Sequence, residues 1–112
     1  MDMNEMMKKA QEAAEIIQKQ MGEAQAKLDS LEVEGVSGGG LVRIRSTAKG
    51  RILGVSIDDS LMVPEDKQIL EDLVTAAFND ARTKADQAAN REMQAIQQGM
   101  GLPPGLNLPG LG

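Results

Sequence analysis

Four basic side chains stand close together in the middle of the chain: Arg43, Arg45, Lys49 and Arg51. The 23 residues from 35 to 57 contain these four and no acid. Positive charge grouped in this way can sit against phosphate oxygens and hold them without reading base sequence. Lys8 and Lys9 can add to it from nearer the N-terminus, as can Lys19 and Lys27, although Glu5, Glu12, Glu15 and Glu23 are interspersed among them. The chain has one Phe and neither Trp nor Tyr. It therefore lacks a platform for stacking unpaired bases, and duplex DNA suits it better than single strands or RNA loops. The plainer reading of the same residues is a wet sheet face kept soluble by charge.

Other chemistries find less support. Without histidine or cysteine the commonest general base, metal ligand and thiolate are missing. Ser37, Ser46, Ser56 and Ser60 have no histidine to activate them. The acid pairs Glu65/Asp66 and Glu71/Asp72 are adjacent on a helical pattern, where neighbours do not face one another. Residues 35–40 read G-x-x-G-G-G and lead into a strand, unlike the phosphate loops that open a helix. They are expected to form a turn. No enzyme, cofactor, metal or small-molecule substrate is expected.

The elements that must position the basic residues follow from periodicity. Met3, Met7, Ala10, Ala14, Ile17, Met21, Ala24, Leu28 and Leu31 step by four and three, the seam of a long helix over residues 3–31. The period then becomes two. In "LEVEGV" Leu31 and Val33 oppose Glu32 and Glu34, and in "LVRIRST" Val42 and Ile44 oppose Arg43 and Arg45. "TAKGR" suits a hairpin loop with Gly50 left-handed. In "RILGVSID" Ile52 falls out of parity with Val55 and Ile57, and a bulge near Leu53-Gly54 restores it. The inward set is then Val42, Ile44, Ile52, Val55 and Ile57, with Arg43, Arg45 and Arg51 on the opposite face. Pro64, followed by Glu65 and Asp66, opens a second helix running to about Gln98. Its stripe comprises Leu70, Leu73, Val74, Ala77, Phe78, Ala81, Ala85 and Ala88, continuing toward Met93 and Ile96. Residues 1–98 form one α+β domain of the order α-β-β-β-α, and the Gly/Pro/Leu-rich residues 99–112 are expected to be a flexible tail.

At 112 residues the chain can build only a thin core, and most of its aliphatic helix surface is alanine and methionine. Two helices longer than the sheet is wide need more cover than this chain supplies, which points to a symmetric dimer. The net charge of −5 is uneven: residues 32–57 carry four bases and two acids, residues 58–98 four bases and nine acids. No apolar run reaches a membrane span, and the N-terminus lacks the regions of a signal peptide, so no membrane partner and a cytoplasmic location are expected.

The chain resembles the YbaB/EbfC family of bacterial nucleoid-associated proteins. The marks are "GGGLV" at 38–42, "AKG" at 48–50, "V-x-I-D-x-S-L" at 55–61, "PEDK" at 64–67 and "L-E-D-L-V-x-A-A-x-N-D-A" at 70–81, with a methionine-rich first helix and a Gly-Leu-Pro tail. The resemblance implies an intertwined homodimer with projecting helical arms. It also implies DNA binding that organises the nucleoid and extends to gene expression. Ala48, where the family often has glycine, departs from the pattern. So does the acidic second helix, which argues against DNA contact through residues 65–92. The competing reading is a dimeric adaptor that binds another protein through its arms or leucine-bearing tail.

Overall fold

The computed structural model describes residues 2–99. Helix α1 spans Met3–Ser30, strands β1, β2 and β3 span Glu32–Ser37, Val42–Thr47 and Ile52–Ile57, and helix α2 spans Lys67–Gly99. The sheet is antiparallel in the order β1-β2-β3. The α-β-β-β-α order is thus as expected. Apart from Gly99, which ends α2, the expected tail lies outside the described residues.

Each boundary has a local cause. Asp2 caps α1 by accepting the Glu5 N–H at 2.8 Å. The helix stops where Leu31 turns extended and alternation begins. Gly38, Gly39 and Gly40 all have positive φ (59°, 68° and 98°), so the β1–β2 connection folds tightly in a region costly to other residues. Gly50 does the same in the β2–β3 hairpin, at φ 95°. After β3, the Asp58 carboxylate caps a short 3-10 turn over Asp59–Leu61 by accepting the Ser60 N–H. Pro64 then opens a second such turn, Pro64–Asp66, which feeds α2.

The core lies between α2 and the inner faces of β1 and β2. Val42 and Ile44 are fully buried against Ala77, Ala81 and Leu61, flanked by Leu41, Ile57, Leu70, Leu73 and Val74. Gly35 permits this approach. A Cβ there would lie 2.2 Å from the Ala77 carbonyl oxygen and 2.4 Å from the Ala81 nitrogen. The alanines of α2 and the missing side chain of β1 therefore work as a pair, letting the helix axis settle close to the strand.

The expected bulge is present: Arg45 pairs with Gly54 and Ser46 with Ile52, leaving Leu53 as the extra residue. The ladder also puts Ile52, Val55 and Ile57 on the face of Val42 and Ile44, as parity required. Their burial differs from expectation. Ile52 and Val55 remain 42% and 48% exposed, because α2 packs on β1 and β2 and leaves the β3 side bare. Phe78, Ile69, Met62 and Val63 are exposed as well. The α1 seam is likewise open over most of its length. Only Ala24 and Leu28 are buried, and Met3 and Met7 are exposed. The last turns of α1 pack beside the end of α2, where Lys27 reaches Glu92 at 3.1 Å.

Candidate nucleic-acid interface

Alternation along β2 buries Val42 and Ile44 and turns Arg43 and Arg45 out on the face away from α2. The antiparallel ladder sets their neighbours. On the β1 side Val36 is opposite Arg43 and Glu34 opposite Arg45. On the β3 side Ser56 is opposite Arg43 and Gly54 opposite Arg45. Arg43 donates to the Glu34 carboxylate at 2.6 Å, and Arg45 approaches Glu32 at 4.0 Å. The arginines are therefore free of acid along the chain but not in space. All four side chains of these pairs are 42–59% exposed, so each pair is held weakly, by about 0.2–1 kcal/mol, and opens readily to a competitor.

Lys49 and Arg51 flank Gly50 at the hairpin tip. Lys49 faces Asp29 at 3.8 Å, across the end of α1. Arg51 makes no ion pair among the described residues; its backbone N–H donates to Thr47 Oγ1 and its carbonyl accepts from the Thr47 N–H. The hairpin is anchored to the helix junction by the Ala48 N–H, which donates to the Leu31 carbonyl. The fold also brings Arg82 of α2 to this tip: its guanidinium lies 3.6 Å from where a Gly50 Cβ would be, with Asp86 at 3.3 Å on its other side. Nothing in the local pattern around Arg82 signals that approach, which depends on where α2 crosses the sheet. Lys8 and Lys9 stand apart. They are exposed on the free part of α1, about 30 Å along the helix axis from Leu28, given its rise of about 1.5 Å per residue.

Two aspartates, Asp80 and Asp58, are tied into the fold by hydrogen bonds. Asp80 accepts the Val36 N–H at 2.9 Å and pairs with Lys84 at 3.0 Å. The Val36 hydrogen bond first, and Lys84 after it, lower the Asp80 pKa below the ordinary aspartate value. Asp58 is lowered by its bonds from the Ser60 hydroxyl and backbone. Among the described residues no group of three or more acids could hold a metal ion, and no helix is long and apolar enough to cross a membrane.

The model of the YbaB/EbfC DNA-binding family matches residues 1–100. The chain belongs to the YbaB/EbfC DNA-binding family. Its relatives include proteins described as nucleoid-associated. One from Nitrobacter hamburgensis is 52% identical over 103 residues, covering 92% of this chain and 93% of that protein. Another, from Methylocella silvestris, is 47% identical over 108 residues, covering 96% and 97%. Among solved structures, an uncharacterized protein of Helicobacter pylori has the same fold, with a TM-score of 0.67 at 24% identity over 88% of this chain and 97% of that one. For this YbaB/EbfC member the family is one of DNA-binding proteins rather than of enzymes.

Proposed function

We propose that the protein is a homodimer that binds duplex DNA with little sequence selectivity, as a nucleoid-associated protein of the bacterial cytoplasm. Binding alters DNA conformation and, through it, nucleoid organisation and gene expression. Family membership carries the DNA reading. Arg43 and Arg45, turned outward side by side on β2, supply phosphate contacts, and Lys49 and Arg51 extend them along the hairpin. These groups reach backbone oxygens, which are alike in every sequence.

The dimer is supported by what this chain leaves uncovered. Ile52, Val55 and Phe78 are left wet, and burying such apolar side chains against a second copy is favourable by about 25 cal/mol per Å². Two copies also double the basic surface. Lys8 and Lys9, on the arms, can then meet DNA at a distance from the sheet.

The exposed methionines of α1, Met3, Met6 and Met7, favour a second reading, an adaptor that grips a partner protein between its arms. Charge reversal separates the two. Arg43→Glu with Arg45→Glu should weaken binding to unrelated duplexes equally while sedimentation still reports a dimer. Unchanged duplex binding, with a protein partner that survives nuclease treatment, would favour the adaptor instead.

A further inference from the structure

The outer face of the sheet carries a cleft of about 170 Å³ between the two arginines, lined by Glu34, Arg43, Arg45, Gly54, Val55 and Ser56. Gly54 keeps it open. A Cβ at that position would lie 3.1 Å from the Arg45 guanidinium, and any longer side chain would enter the cleft. The backbone of Gly54 does not require glycine, since its φ is not in the left-handed region. What the missing side chain provides is space between two cations. Ser56, opposite Arg43 on the same face, has a hydroxyl without a partner among the described residues.

We propose that one backbone phosphate of duplex DNA occupies this cleft, bonded by Arg43, Arg45 and the Ser56 hydroxyl, and displaces Glu34 from Arg43. The proposal rests on the duplex-binding reading above and names where on the face a phosphate goes. Two guanidinium groups two residues apart on one strand, about 7 Å along the chain, can converge on a single tetrahedral oxyanion. A hydroxyl on the neighbouring strand completes the set of donors. Glu34 already occupies the Arg43 fork with one carboxylate oxygen at 2.6 Å, so the cleft is preformed around an oxyanion. It is also the competitor a phosphate must replace. Because Glu34 is 42% exposed, it can turn into water when replaced. Arginine favours the exchange, since its planar fork matches phosphate as well as carboxylate.

The test is steric as well as electrostatic. Gly54→Val fills the cleft without changing charge, and its β-branched side chain suits a strand. In fluorescence anisotropy with a short labelled duplex, it should weaken binding about tenfold, as expected for losing charge-assisted bonds to one phosphate. Glu34→Gln removes the competitor and should strengthen binding about threefold, the scale of an exposed ion pair. In the double variant the gain from Glu34→Gln should vanish. If Gly54→Val does not fold, as judged by circular dichroism, Ser56→Leu fills the cleft from the opposite end and should weaken binding similarly. Wild-type affinity in Gly54→Val and Glu34→Gln, alongside weakening by Arg43→Glu with Arg45→Glu, would overturn the subsite and leave duplex binding standing. Absence of duplex binding by the wild-type protein would overturn both.

Discussion

Along β1, α2 seals the outer edge of the sheet. Asp80 accepts the Val36 N–H, Lys84 donates to the Glu34 carbonyl at 2.7 Å, and Gly35 sits directly beneath Ala77 and Ala81. Along β3, no side chain of the described residues bonds the outer backbone groups, and Ile52, Leu53 and Val55 are exposed. Unpaired edges with apolar neighbours invite another chain, and proteins ordinarily cover or charge them. The same helix that finishes one edge leaves the other open, because α2 is pulled toward β1 by the close approach at Gly35. The sheet is therefore covered along β1 and bare along β3. The proposed dimer would cover the bare side with a second copy.

That contrast can be broken from either side. A charge on the open side should do most. Val55→Asp would bury an unpaired carboxylate in the proposed interface at a cost of about 3–5 kcal/mol, and sedimentation should show monomers. A dimer unchanged by this substitution would move the interface elsewhere. On the sealed side, Gly35→Ala drives a methyl into the α2 backbone. It should lower unfolding free energy by about 3 kcal/mol in denaturant titrations, at the upper end of overpacking costs. A neutral result would mean that α2 stands farther from β1.

Asp80→Asn should produce a smaller loss, and one that depends on pH. Asp80 has its pKa lowered in the fold, so the unfolded chain takes up its proton at higher pH than the native one. The stability it contributes is fully present above the ordinary carboxylate range. It is lost as pH falls through the lowered folded value. The difference between wild type and Asp80→Asn in thermal melts should therefore be constant near neutrality and shrink in acid. A difference that does not change with pH would assign the effect to packing.

The sequence shows local patterns of this kind well and the long-range ones poorly. Alternation in "LVRIRST" places Arg43 and Arg45 correctly, and the broken parity of Ile52 against Val55 locates the bulge at Leu53. Periodicity reports which face a residue takes, not whether anything covers it, so the exposure of Ile52 and Val55 was not legible. Glu32 and Glu34 look separate from the basic cluster because an intervening turn divides them in the chain. Only the β1–β2 register lays them beside the arginines. Gly35 reads as one more residue of a glycine-rich turn, whereas its role is set by Ala77 and Ala81, more than forty positions away. Arg82 reaches the hairpin for the same kind of reason.

The most direct test of the central claim is a salt titration of binding to a long duplex, for the wild-type protein and for a variant with Arg43, Arg45 and Arg51 all changed to Gln. If in each copy of a dimer Arg43 and Arg45 share one phosphate while Lys49 and Arg51 meet one each, the logarithm of affinity should fall against the logarithm of salt with a slope of about −5, from roughly 0.9 per phosphate. The variant should bind more weakly, with the slope reduced to about −2, carried by Lys49 of the two copies. Equal slopes for the two proteins would contradict the account and place the DNA contact on another surface.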